Sequence, residues 1–105
     1  MTGEGSTSPR VVLLVERFFP AADGPAVQAI LAQECGAALP LASGHPVLVE
    51  RIQMGAIKVS DGQIDALLDA VRLAWPDWRD LLVTAGFAGS VKAHDEWFEI
   101  LLRTA

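Results

Sequence analysis

Pro9-Arg10-Val11-Val12-Leu13-Leu14-Val15-Glu16-Arg17-Phe18-Phe19-Pro20 is the stretch on which the fold class turns. Its β-branched run reads either as a buried strand or as one side of a helix. As a helix, it places Val11, Leu14, Val15 and Phe18 on one face, with Val12 and Phe19 beside them. Ser8 then stands as N-cap, Pro9 occupies the first helical position, and Pro20 stops the run. A strand would need a partner to satisfy its backbone, and no other stretch offers one. Helix is therefore the reading adopted, and a strand over 11–19 would make the fold α+β. The helical face spans roughly 160° at about 100° per residue, more than one neighbouring helix covers. Val12 and Phe19, at its margin, are the candidate partner-binding residues.

Outward from this stretch, breakers divide the chain into further amphipathic segments. Asp23-Gly24-Pro25 opens a second helix with Val27, Ile30 and Leu31 inward, closed by Gly36. Residues 37–46 form a loop containing Pro40, Gly44 and Pro46. A third helix runs from about Pro46 to Val59. Leu48, Val49, Ile52, Gly55, Ala56 and Val59 line one face, and Met54 and Ile57 lie nearly opposite. A helix apolar on two faces belongs at the centre of a bundle. Gly55, on the stripe, suggests a close helix crossing.

Ser60-Asp61-Gly62-Gln63 has the spacing of a capping box. The fourth helix behind it carries Ile64, Leu67, Leu68, Val71 and Trp75, and Pro76 ends it. Asp77 caps a short fifth helix with Trp78, Leu81, Leu82 and Ala85 inward, closed by Gly86. Ser90 caps the last, whose stripe is Val91, His94, Trp97, Phe98, Leu101 and Leu102. The expected fold is all-α, a compact bundle of five to six short helices. A flexible polar tail over residues 1–8 precedes a single helical domain over residues 9–105.

The chain's 105 residues suit one domain. Hydrophobic residues make up 51% and charged ones only 20%, a surplus that must enter a core, an interface or a partner site. No apolar run approaches a bilayer span, so no membrane contact is expected. Net charge is −5 and no two basic residues are adjacent, which disfavours nucleic acid. The single cysteine, Cys35, forms no internal disulfide and suits the cytoplasm.

No catalytic set emerges. Cys35 falls at a helix C-terminus, where the dipole opposes a thiolate. His94, Asp95 and Glu96 diverge around a helix and cannot converge on one metal ion. Asp61, Asp65 and Asp69 align at i,i+4 but lack the loop carbonyls of a calcium site. No cofactor is implied. The candidate polar site is His94, on an apolar stripe, with Arg51. His94 is expected to be a neutral core histidine, one ring nitrogen bonded to a backbone group or to a hydroxyl.

Glu50 to Gly62, followed by Asp77-Trp78-Arg79-Asp80-Leu81-Leu82, resembles a pattern in small uncharacterised bacterial helical proteins. The resemblance implies a bacterial origin and carries no chemistry. The expected function is a non-enzymatic domain that binds another protein or itself. The alternative is a small-ligand binder or enzyme with an apolar pocket between helices, using His94 or Arg51.

Overall fold

The computed structural model describes residues 7–35, 46–74, 78–90 and 92–103. These form six helices with no strand among the described residues: α1 (Pro9–Phe18), α2 (Gly24–Glu34), α3 (Pro46–Ser60), α4 (Ile64–Ala74), α5 (Trp78–Ala85) and α6 (Ala93–Arg103). A single 3₁₀ turn, Ala21–Asp23, leads into α2. The tail expected over 1–8 lies outside the described residues up to residue 6. Thr7 and Ser8 are tied into the fold, through Gln28 and Glu50 respectively. The loop ahead of Pro46, with His45, and Trp75, Pro76, Asp77 and Val91 also lie outside the described residues.

The deciding stretch is helical. Ser8 caps α1 by accepting from the Val11 amide at 3.3 Å, and Val11, Leu14 and Val15 are buried. The wide apolar face is shared between two neighbours, since α1 packs on both α2 and α3. This corrects the expectation for Phe19. It is only 4% exposed, covered by its own chain rather than left for a partner. Val12 is half-buried.

Helix α3 is the centre, in contact with α1, α4, α5 and α6. Ile52 to Ile57 are all buried, Gln53 included. The Gln53 amide donates to the Leu31 carbonyl at 3.1 Å, so its burial leaves that donor satisfied. Gly55 faces α5 and the residue beyond it: a Cβ there would stand 3.5 Å from that of Ala85 and 3.7 Å from Leu82 and Phe87.

The α3–α4 connection differs from the expected capping box. Ser60 is the last residue of α3. Its hydroxyl donates to the Ile57 carbonyl at 2.6 Å and accepts from the Gly62 amide at 3.3 Å. The turn follows at Asp61 (φ 51°) and Gly62 (φ 82°), and α4 starts only at Ile64. The Gln63 amide bonds the Ser60 backbone carbonyl rather than its side chain. Ser60 is 1% exposed, and its hydroxyl shares the Ile57 carbonyl with the Asp61 amide within its own helix.

Helix α5 ends as read, at Gly86 (φ 81°). The Phe87 amide reaches the Leu82 carbonyl and the Gly86 amide that of Val83, the paired bonds of a Schellman motif. Helix α6 starts at Ala93, later than read, because Ser90 caps a preceding turn through the Lys92 amide. Among the described residues no helix is long and apolar enough to cross a membrane.

Candidate functional site

The N-terminal turns of α1 and α6 meet α3 at a charged network. Arg10 donates from Nη2 to Glu50 Oε1 at 2.6 Å and to Asp95 Oδ1 at 2.7 Å, and from Nε to Glu50 Oε2 at 3.3 Å. Ser8 Oγ donates to Glu50 Oε2 at 2.6 Å, so one hydroxyl caps α1 and binds α3. The Arg10 guanidinium lies 5.2 Å from the centre of the Phe98 ring, adding a cation–π contact with α6. Burial opposes ionisation of Glu50, yet the Arg10 and Ser8 hydrogen bonds outweigh it and hold its carboxyl below the usual range. The Arg10 hydrogen bond does the same for Asp95. Arg10 is in turn raised, chiefly by its hydrogen bond to Glu50.

His94 lies beside this network, on the first turn of α6, and is 1% exposed. The expected hydrogen bond is absent: neither ring nitrogen has a partner. The ring sits against Phe87, with centroids 6.2 Å apart. Nε2 is 3.4 Å from Asp95 Oδ1, the oxygen that Arg10 already holds. Burial pushes His94 below its ordinary value. Asp95 and Glu50 pull it upward, and Arg10 and Arg51 push it further down.

Arg51 joins the same neighbourhood through Phe87. Its Nη2 donates to the carbonyls of Phe87 and Ser90, while its buried Nε has no partner. Lys58, two turns along α3, donates to the Ala85 carbonyl at 2.6 Å, and its Nζ lies 5.1 Å from the Phe87 ring centre. Two cations of α3 thus fasten the α5–α6 connection, and both sequence candidates, His94 and Arg51, meet at Phe87. Trp97 packs on the same ring at 5.6 Å.

Two clefts open nearby, one away from the network and one beside Arg51. One, of about 330 Å³, opens between α1 and α2 and is lined by Val15, Glu16, Phe19, Pro20, Ala21, Gly24, Pro25 and Gln28. The other, of about 260 Å³, is lined by Arg51, Trp78, Arg79, Leu82, Val83 and Ala88. Among the described residues no group of three His, Cys, Asp or Glu can hold a metal ion. Cys35 is fully buried at the end of α2, and burial pushes its thiol up to about 12.

Sequence reading found His94 and Arg51 and missed Arg10, Glu50 and Asp95. Arg10 lies 40 positions from Glu50 and 85 from Asp95, so no local spacing announces the network. The one available signal was Arg10 itself, a charge directly before the apolar run of α1.

No protein family, curated protein or solved structure matches this chain.

Proposed function

We propose that this domain is non-enzymatic and acts by binding another protein or a second copy of itself. The observation that carries this reading is the cleft between α1 and α2. Its floor is Val15 and Phe19, its walls include Pro20, Ala21 and Pro25, and Glu16 is its one charged residue. Such a surface takes an apolar side chain from a partner, with a basic neighbour beside Glu16. Phe19 then contributes from beneath, as a floor, rather than as a protruding anchor. The strongest charges seen elsewhere, Arg10, Glu50 and Asp95, hold helices together, which leaves them spent on structure. A cytoplasmic setting goes with this reading, since the only cysteine is Cys35.

The test is co-purification from the native cell with wild type, Ala21→Arg and Ile100→Ala. Ala21 and Ile100 are both exposed, so neither change disturbs the core. A stoichiometric protein partner lost in Ala21→Arg and kept in Ile100→Ala is the expected result. A partner indifferent to Ala21 would sink the assignment of the cleft.

The second reading, a small-ligand binder, has one observation in its favour: Arg51 lines the cleft with Trp78, Leu82, Val83 and Ala88. Native mass spectrometry of the purified protein would show a bound small molecule under that reading and protein alone, single or self-associated, under the first.

A further inference from the structure

We propose that His94 is a pH-sensitive latch that holds the first turns of α6 on α1 and α3 while its imidazole is neutral and releases them on protonation. Three observations bear on it. The imidazole is buried against Phe87 with no hydrogen-bond partner on either nitrogen. A neutral ring already leaves one donor and one acceptor unmet there, and an imidazolium would bring two donors into the same site. The nearest carboxylate oxygen, Asp95 Oδ1 at 3.4 Å, is already committed to Arg10.

The charges that face His94 come from three helices: Asp95 on α6 itself, Arg10 on α1, and Glu50 and Arg51 on α3. Lys58 of α3 lies over the same Phe87 ring. Arg10 already holds both carboxylates, and Arg51 faces the ring with a second positive charge, so an imidazolium finds no carboxylate of its own there. It also sits on the first turn of α6, whose dipole end is positive. The ring can gain partners only by turning out toward water or by competing with Arg10 for Asp95. Either movement draws the first turn of α6 off Phe87.

Helix α6 is fastened by few residues, among them Trp97, which packs on Phe18 and Phe87. His94 and Phe98 are its buried residues, and Arg10–Asp95 and Arg17 to the Leu101 carbonyl are its bonds to α1. Further along, Ile100 and Leu102 are exposed. Release would uncover Phe87, Trp97 and Phe98 together.

The experiment is amide hydrogen exchange at pH 7.5 and pH 5.0, each corrected for intrinsic rates, on wild type and His94→Leu. In wild type, opening of α6 relative to α4 should rise about tenfold or more at the lower pH. In His94→Leu the ratio should stay flat. An equal rise in both proteins would overturn the latch. If His94→Leu does not fold, the wild-type imidazole is titrated by NMR, with the His45 signal assigned from His45→Gln. Loss of α6 protection at the His94 midpoint supports the proposal. Titration of His94 with α6 still protected overturns it.

Discussion

Gly62 carries the tightest backbone constraint among the described residues. Its φ of 82° is a conformation that side chains rarely adopt, and a Cβ would come within 2.4 Å of the Phe18 carbonyl oxygen. The obstacle is backbone at the end of α1 and cannot swing away. Gly62→Ala should therefore lower stability by about 2 kcal/mol or more, read as a fall in urea midpoint. An unchanged midpoint would mean that the turn does not rest on α1. Ser60 gives a finer test. Ser60→Ala removes the acceptor of the Gly62 amide and should cost about 1 kcal/mol. Exchange should accelerate at the Gly62 amide and stay slow at Gln63, which bonds a backbone carbonyl. The reverse pattern would restore the capping box read from Ser60-Asp61-Gly62-Gln63. That spacing was legible, but it could not distinguish a serine opening α4 from one finishing α3. Burial of Ser60 decided the matter, and burial is set by tertiary packing.

At the scale of elements, α3 was the most legible. Apolar residues on two faces announced a central helix, and its residues 52–57 are buried all round. Helix α1 was ambiguous as a string and resolved by its ends, because Ser8-Pro9 and Pro20 are helix punctuation. Its face looked too wide for one neighbour, and α2 and α3 share it. Sequence reasoning counted the width correctly and could not count the neighbours, so Phe19 was assigned outward. Gly55 shows the same limit. It lies on the side of α3 that meets α5, yet a Cβ would meet Ala85, Leu82 and Phe87 at ordinary contact distances of 3.5–3.7 Å. The crossing does not require glycine. Gly55→Ala should stabilise by about 0.5–1 kcal/mol, by restricting the unfolded chain and improving helix propensity. A lowered thermal midpoint would mean that α3 and α5 approach more closely than these distances allow.

The charged network joins the fold at the scale of the whole molecule, since Arg10, Glu50 and Asp95 tie the starts of α1 and α6 to α3. It also fixes how stability depends on pH. Glu50 and Asp95 are held below their ordinary values in the folded state, so the unfolded chain binds protons first as pH falls. Their contribution is complete only above the ordinary carboxylate range, about pH 5, and is lost as pH falls through the folded values. His94 is also lowered. Its contribution is complete above the unfolded value of about 6.5 and is lost as pH falls toward the folded one. Acidification should thus weaken the fold in two separate steps. His94→Leu should remove only the upper step. Arg10→Met keeps an apolar stem over Phe98 while removing the charge. It should cost about 1 kcal/mol near neutrality, a modest figure because Arg10 is 34% exposed and screened by solvent. It should also flatten the lower step, because Glu50 and Asp95 then move toward ordinary values. The upper step should shrink as well, since Arg10 no longer opposes the imidazolium and Asp95 becomes free to accept from it. Urea midpoints from pH 7.5 down to pH 3 for the three proteins separate these effects. Parallel curves for wild type and Arg10→Met would show that the Arg10 ion pairs do not couple protonation to folding, and that other contacts hold the three helices together.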